Sequence, residues 1–160
     1  VARLAEFGAT VVRWADAGGA VTVNLRPGAV MPLINSATGR AFAAFSKLPH
    51  LKALLQEELQ ANAKTSGMAI GTVRSNLEKT LTEIRKRGIA RASGSMTPGI
   101  NGFSAPVYDH NGAMVATITA LGSVGNFDND WDSPLAQAIK AAGAELSHRL
   151  GAPAPAQPEA

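Results

Sequence analysis

The segment INSATGRAFAAF, residues 34–45, sets two hydroxyls, an amide, a glycine and an arginine directly before an apolar run. A helix start exposes unpaired backbone N–H groups at the positive end of its dipole. A carboxylate fits there with little further help. Ser36 or Thr38 can act as the cap or as a ligand donor, and Ala37 and Gly39 add no bulk to the approach. A capping hydroxyl with no ligand is the commoner use of such residues.

The other chemistry-bearing groups point to structure rather than reaction. Asp128, Asn129, Asp130 and Asp132 crowd together, but a calcium loop opening at Asp128 needs glycine sixth and glutamate twelfth. Ser133 and Ile139 stand there. The cluster reads instead as the approach to a helix capped by Asp132 or Ser133, with Pro134 in its first turn. His50, His110 and His148 are not spaced for a shared metal. Ser93 and Ser95 have no adjacent activating base. No nucleophile elbow, phosphate loop or dinucleotide glycine pattern occurs. With no cysteine, thiolate metal sites, disulfides and cysteine nucleophiles are excluded. Neither enzyme, metal nor cofactor is therefore expected.

The chain has 160 residues, 46% of them hydrophobic, enough for one domain with a sizeable core. Its net charge of +3 invites a nucleic-acid reading, but the 15 lysines and arginines are scattered. The tight cluster Arg85-Lys86-Arg87 falls at the end of a helical stretch, where cations complement the dipole. No apolar run approaches the roughly 20 residues of a membrane span, and no leader opens the chain. A cytoplasmic protein without a membrane partner is expected. The start at Val1 reads as a fragment whose neighbour lay upstream.

Several elements must position these groups. GATVVRW (8–14) and AVTVNL (20–25) are β-rich around the turn signal Asp16-Ala17-Gly18-Gly19 and read as a hairpin. Residues 34–45 turn helical with Phe42 and Phe45 on one face. HLKALLQEELQ (50–60) reads as a helix, and 61–71 is weakly patterned. Ser75 with Glu78 reads as a capping box opening a helix whose buried stripe is Leu77, Leu81 and Ile84, stopped at Gly88. IARAS (89–93) is a strand and Thr97-Pro98-Gly99 a turn. GFSAPVYD (102–109) and AMVATITAL (113–121) form a hairpin through His110-Asn111-Gly112. Pro106 belongs at an edge or bulge. A last helix, 135–150, carries Leu135, Ile139, Ala142, Leu146 and Leu150 on one face. The expectation is an α+β domain over residues 1–151, an antiparallel sheet covered by helices, followed by a disordered Pro/Ala tail over 152–160.

Read together, these segments resemble a known family. MPLINSATGRAFAAF (31–45) resembles the "LPLHATALGKALLAF" segment of the IclR family of bacterial transcriptional regulators. LEKTLTEIRKRGIA (77–90) is similar to its "L…EL..IR.RGYA" stretch, and TPGINGFSAPVYDHNGAMVATITALGS (97–123) to its "PGVRCIAAPVFD.DGRVVAALSVSGP" hairpin. AAGAELSHRLG (141–151) resembles its terminal helix. The resemblance covers roughly residues 20–151 and implies the effector-binding half of such a regulator. That half has a GAF/profilin-like fold with a curved antiparallel sheet. DNA would be engaged only through a winged helix-turn-helix domain N-terminal to it. It implies a small-molecule effector, often a carboxylate or aromatic acid, and a homodimer or homotetramer. Carried over by position, the effector pocket would comprise Met31, Ala37, Thr38, Ile100, Gly102, Thr119 and Leu121. Local chemistry adds Ser36, Asn101 and Phe103.

The sequence departs from the family pattern in places. Arg91-Ala92-Ser93-Gly94-Ser95 replaces a stretch that is often acidic. Arg91 could pair with an anion or point outward by strand alternation. Leu121 stands where some members have serine, and Asn35 replaces the common alanine or threonine. These changes favour a larger, partly apolar acid over a two-carbon acid. Two competitors remain: an enzyme of sensor-like fold, and a ligand-free dimerisation module whose pocket is filled by Met31, Met96, Phe103 and Leu121.

Overall fold

The structure, a computed structural model, describes residues 1–16 and 25–153. Within them the strands are β1 (Ala2–Ala5), β2 (Gly8–Val11), β3 (Val30–Met31), β4 (Ala90–Ser93), β5 (Ile100–Tyr108) and β6 (Met114–Ser123). They form one sheet in the order β3-β2-β1-β6-β5-β4, with every paired neighbour antiparallel. The helices are α1 (Ala37–Phe45), α2 (Leu51–Ser66), α3 (Ile70–Arg87) and α4 (Pro134–Arg149). This is the α+β architecture read from the sequence.

The sheet separates two cores. On one face α1 packs against β4, β5 and β6, with α3 and α2 stacked behind it. Phe42, Leu33, Leu81 and Ile84 are fully buried there. Removing a side chain such as Phe42 from water contributes ~1.5–3 kcal/mol. On the other face α4 lies against β5 and β6, closing a smaller cluster of Ile89, Phe103, Phe127 and Ala136.

Four expectations need correction. First, β2 forms its tight hairpin with β1, across Glu6 and Phe7. Its other edge is taken by β3, Ala9 lying opposite both Leu4 and Met31. The expected partner strand, 20–25, lies outside the described residues except for Leu25. Alone, Ala-Arg-Leu-Ala has little β propensity; pairing makes it a strand.

Second, α3 opens at Ile70, capped at Ala69 without a side-chain bond, so Ser75 and Glu78 lie inside the helix. Val73, one turn upstream of Leu77, is buried, and that contact extends the helix past the apparent box. Third, α2 runs on to Ser66, because the left-handed Gly67 (φ +69°) rather than a loss of apolar pattern ends it.

Fourth, α4 turns only the first part of its apolar stripe inward, Leu135 and Ile139 packing half-buried against the cluster around Phe103, while its small residues make the close approach to the sheet. Ala136, Gly143 and Ser147 face it, and Leu150 is 48% exposed. A β-carbon at Gly143 would stand 2.8 Å from the Ala105 β-carbon, so small residues let helix and strand approach closely. Ser133, not Asp132, caps α4, its hydroxyl accepting from the Ala136 N–H at 3.1 Å. Pro106 sits two residues beyond Ser104, the last β5 residue paired with β4, and so interrupts no ladder on that side.

Candidate functional site

The approach to α1 is held by a carboxylate that sequence reasoning missed. Glu58 of α2 accepts from the Leu33 N–H through Oε1 (2.8 Å) and from the Ile34 N–H through Oε2 (3.1 Å). The clamp fixes residues 32–35 and with them the point where the helix begins. Ser36 is the N-cap: its hydroxyl accepts from the Gly39 N–H (2.9 Å) and donates to the Pro32 carbonyl (2.7 Å). Gly39 serves the same joint rather than a ligand's approach. A β-carbon there would lie 2.0 Å from the Pro32 oxygen and 2.4 Å from the Leu33 α-carbon.

Behind this joint the sequence-selected residues converge. Met31, Ser36, Ala37, Thr38, Ile100, Asn101, Gly102 and Leu121 line one cavity, together with Ala92, Ser95, Met96 and Thr97. The last four come from β4 and the 94–99 turn. Their signal in the sequence was the stretch that departs from the family pattern and the Thr-Pro-Gly turn after it. Thr119 is half-buried beside the cavity and does not line it. Its hydroxyl lies 2.9 Å from that of Thr38 and 2.8 Å from that of Ser104, a three-hydroxyl chain linking α1 to the sheet.

Phe103 is elsewhere. It alternates with Gly102 along β5 and points to the α4 face, its ring 5.6 Å from Phe127 and 6.2 Å from Trp131. It cannot fill the cavity.

The cavity is small, about 30 Å³, room for a water or two. Leu121 is the reason: its Cδ2 would lie 2.5 Å from a β-carbon on Gly102, so it occupies the space the glycine leaves. Met96, 38% exposed, stands at the rim. No lining side chain is ionisable. Beside the Ser95, Thr97 and Asn101 side chains, the buried lining residues Ala37 and Thr38 offer backbone N–H groups. They are first-turn amides that meet no protein acceptor among the described residues.

Two larger hollows, about 590 Å³ each, flank the sheet. One runs beside α4 past Pro106, Tyr108 and His148 and holds none of the sequence-selected residues. The other, at the β4 edge, is lined by Arg40, Lys79, Glu83, Arg91 and Trp131. No group of three or more potential metal ligands occurs among the described residues. Nor is any described helix long and apolar enough to cross a membrane.

The architecture is a two-faced α+β sheet with a small cavity at the start of α1. The chain belongs to the IclR family, since the family model described as bacterial transcriptional regulator IclR C-terminal matches residues 3–148. The structure is similar to Pseudomonas aeruginosa HmgR, with TM-score 0.76, 36% identity, and coverage of 94% of this chain and 58% of that one. It shares its fold with Thermotoga maritima IclR (TM-score 0.71, 21% identity, 94% and 60% covered). The same holds for the Agrobacterium tumefaciens repressor BlcR (TM-score 0.70, 18% identity, 96% and 60% covered). The chain thus spans less than two thirds of the length of each. Comparison with curated proteins finds no match.

Proposed function

We propose that this chain is the effector-sensing half of an IclR-type regulator and takes a small carboxylate or aromatic acid at the start of α1. The observation that carries this reading is the pair of acceptor-free amides on Ala37 and Thr38, two buried residues that line the cavity. A carboxylate there gains two charge-assisted hydrogen bonds at the positive end of the helix, with no acidic side chain to repel it. Its apolar body would meet Met31, Ile100 and Leu121. An acid larger than a few atoms enters by displacing Met96 at the rim. Effector binding would then bias two arrangements of a cytoplasmic homodimer or homotetramer, which requires different affinity for each. DNA would be held by a separate helix-turn-helix domain.

The test is a thermal-shift and calorimetric screen of small carboxylic and aromatic acids. A ligand that binds only the folded state at about 100 Kd stabilises it by roughly 2.7 kcal/mol. A saturable shift, weakened by Thr38→Val, is expected. The water-sized cavity favours a second reading, a ligand-free dimerisation module, and a flat screen on well-folded protein would favour it over the sensor.

A further inference from the structure

We propose that the groove between α1, α3 and β4 is a second ligand site, built for the oxyanion of a small metabolite. It lies outside the helix-start cavity and does not depend on that cavity's function.

Two guanidiniums line it, and neither is ion-paired among the described residues, although the charges of Glu83 and Asp130 act on Arg91 from a distance. Arg40 reaches out of α1, donating through Nε to the Ile34 carbonyl (2.7 Å) and through Nη1 to the Arg91 carbonyl (2.8 Å). Arg91 donates through Nη1 to the Asn129 carbonyl (2.8 Å) and lies over the Trp131 ring, 4.1 Å from its centroid. Each is anchored by neutral oxygens and an aromatic face, with further N–H groups to spare.

Lys79 of α3 adds a third cation to the lining. The lining carboxylate, Glu83, is already held by Arg87 at 2.8 Å. Asp132 also pairs with Arg87, and Asp130 lies near enough to act on the Arg91 charge, but neither lines the groove. Ser93 and Ser95 offer hydroxyls at the rim, and Ser93 accepts from the Asn129 amide, which leaves its own O–H to donate.

The chemistry follows from the geometry. Burial and, behind it, the neighbouring Arg91 charge hold the Arg40 guanidinium below its usual pKa, and burial does the same to Arg91. Two fixed, partly desolvated like charges are costly without an anion, and an arginine fork suits carboxylate and phosphate oxygens alike. The groove, about 590 Å³, accommodates a metabolite-sized body behind the oxyanion. The source is a phosphate ester or a carboxylic acid.

Calorimetry with inorganic phosphate, and separately with acetate, tests the site on the intact chain. Fluorescence gives a second readout, assigned to Trp131 by Trp131→Phe. Lys79→Gln removes an exposed charge and leaves the fold alone; Arg91→Gln removes the stacked guanidinium. Expected is one saturable site whose Kd rises about tenfold or more in Arg91→Gln and less in Lys79→Gln. It should be unchanged in Lys52→Gln and Thr38→Val. Acetate binding alone, with the same variant pattern, supports the site and assigns it to carboxylic acids. Equal weakening by Lys52→Gln overturns the proposal in favour of the general field of the chain. Loss in Thr38→Val overturns it in favour of the helix-start cavity. Displacement of phosphate by a short DNA duplex with the same variant dependence overturns it in favour of a nucleic-acid backbone. No saturable signal with either anion also overturns it.

Discussion

The cavity at the start of α1 and the groove at the β4 edge both touch Ser95 and otherwise contrast in every respect. The cavity is small and neutral; the hydroxyls of Thr38, Thr119 and Ser104 are linked to one another, and the Ala37 and Thr38 amides lack an acceptor among the described residues. The groove is wide and charged, its donors supplied by side chains from three elements. A backbone site is made by local geometry: once Ser36 caps the helix, two amides must point forward. A guanidinium site is made by neighbours, because Arg40 and Arg91 are 51 residues apart and meet only when α1 packs on β4. The first tolerates surface change and fails when the joint under it is disturbed. The second should behave in the opposite way.

The largest test of that contrast is Gly39→Ala. Its β-carbon would collide with the Pro32 and Leu33 backbone, which has no flexible end to move aside. A loss of about 3 kcal/mol or more is expected in urea unfolding, removing cavity and groove together. Tolerance of alanine would mean that α1 does not rest on the 32–34 loop as described.

Glu58→Gln strikes the same joint from the side. One of two carboxylate hydrogen bonds is lost and the other weakened, a cost of about 2 kcal/mol. Ligand affinity at the helix start should fall, while phosphate affinity in the groove stays the same. A variant that moved both affinities equally would erase the distinction between the sites.

Leu121→Ala sharpens the comparison by opening the cavity. The leucine is only partly buried, so the stability cost is about 1–2 kcal/mol, at or below the lower end of core truncations. Aromatic acids should bind more tightly, because the space over Gly102 becomes free. An unchanged affinity would mean that Leu121 does not limit the ligand's size.

The smallest effect is on pH. The Arg87 hydrogen bond holds the Glu83 carboxyl below its usual range. A depressed carboxyl pKa stabilises the folded state above the unfolded value, about 4.3, and that contribution is lost as pH falls through the folded value. The pair is exposed, so the stability change should be slight. Protonating Glu83 also makes the groove more cationic. Sulfate, whose charge is constant over this range, should therefore bind the groove somewhat better in acid. A ligand in the cavity, where no side chain titrates, should show only its own ionisation.

Much of the fold was legible in the chain. The Phe42 face, the Leu77-Leu81-Ile84 stripe, the Asn111-Gly112 hairpin and the Ser133-Pro134 cap are short-range patterns, and each fixes its element through local geometry or burial on one face. Strand alternation also placed Thr119 and Leu121 on the α1 face. It equally predicts that Phe103, next to Gly102, points the other way; the local chemistry that added Phe103 to the pocket ignored that period.

By itself, then, the sequence determined the order of elements, the start of α1 and the set of residues around it, because caps, turns and apolar periods act within a few positions. Tertiary structure alone decided four things. It made Ala2–Ala5 a strand by giving it partners on both sides, β2 and β6. It set the small residues of α4 closest to the sheet, with Leu135 and Ile139 half-buried beside them and Leu150 exposed, since closeness of approach outweighs hydrophobic count. It brought Glu58 across 24 and 25 residues to hold the loop before α1, and it set Arg40 against Arg91. Contacts between residues that far apart depend on how helices stack on a sheet, and no local pattern encodes that.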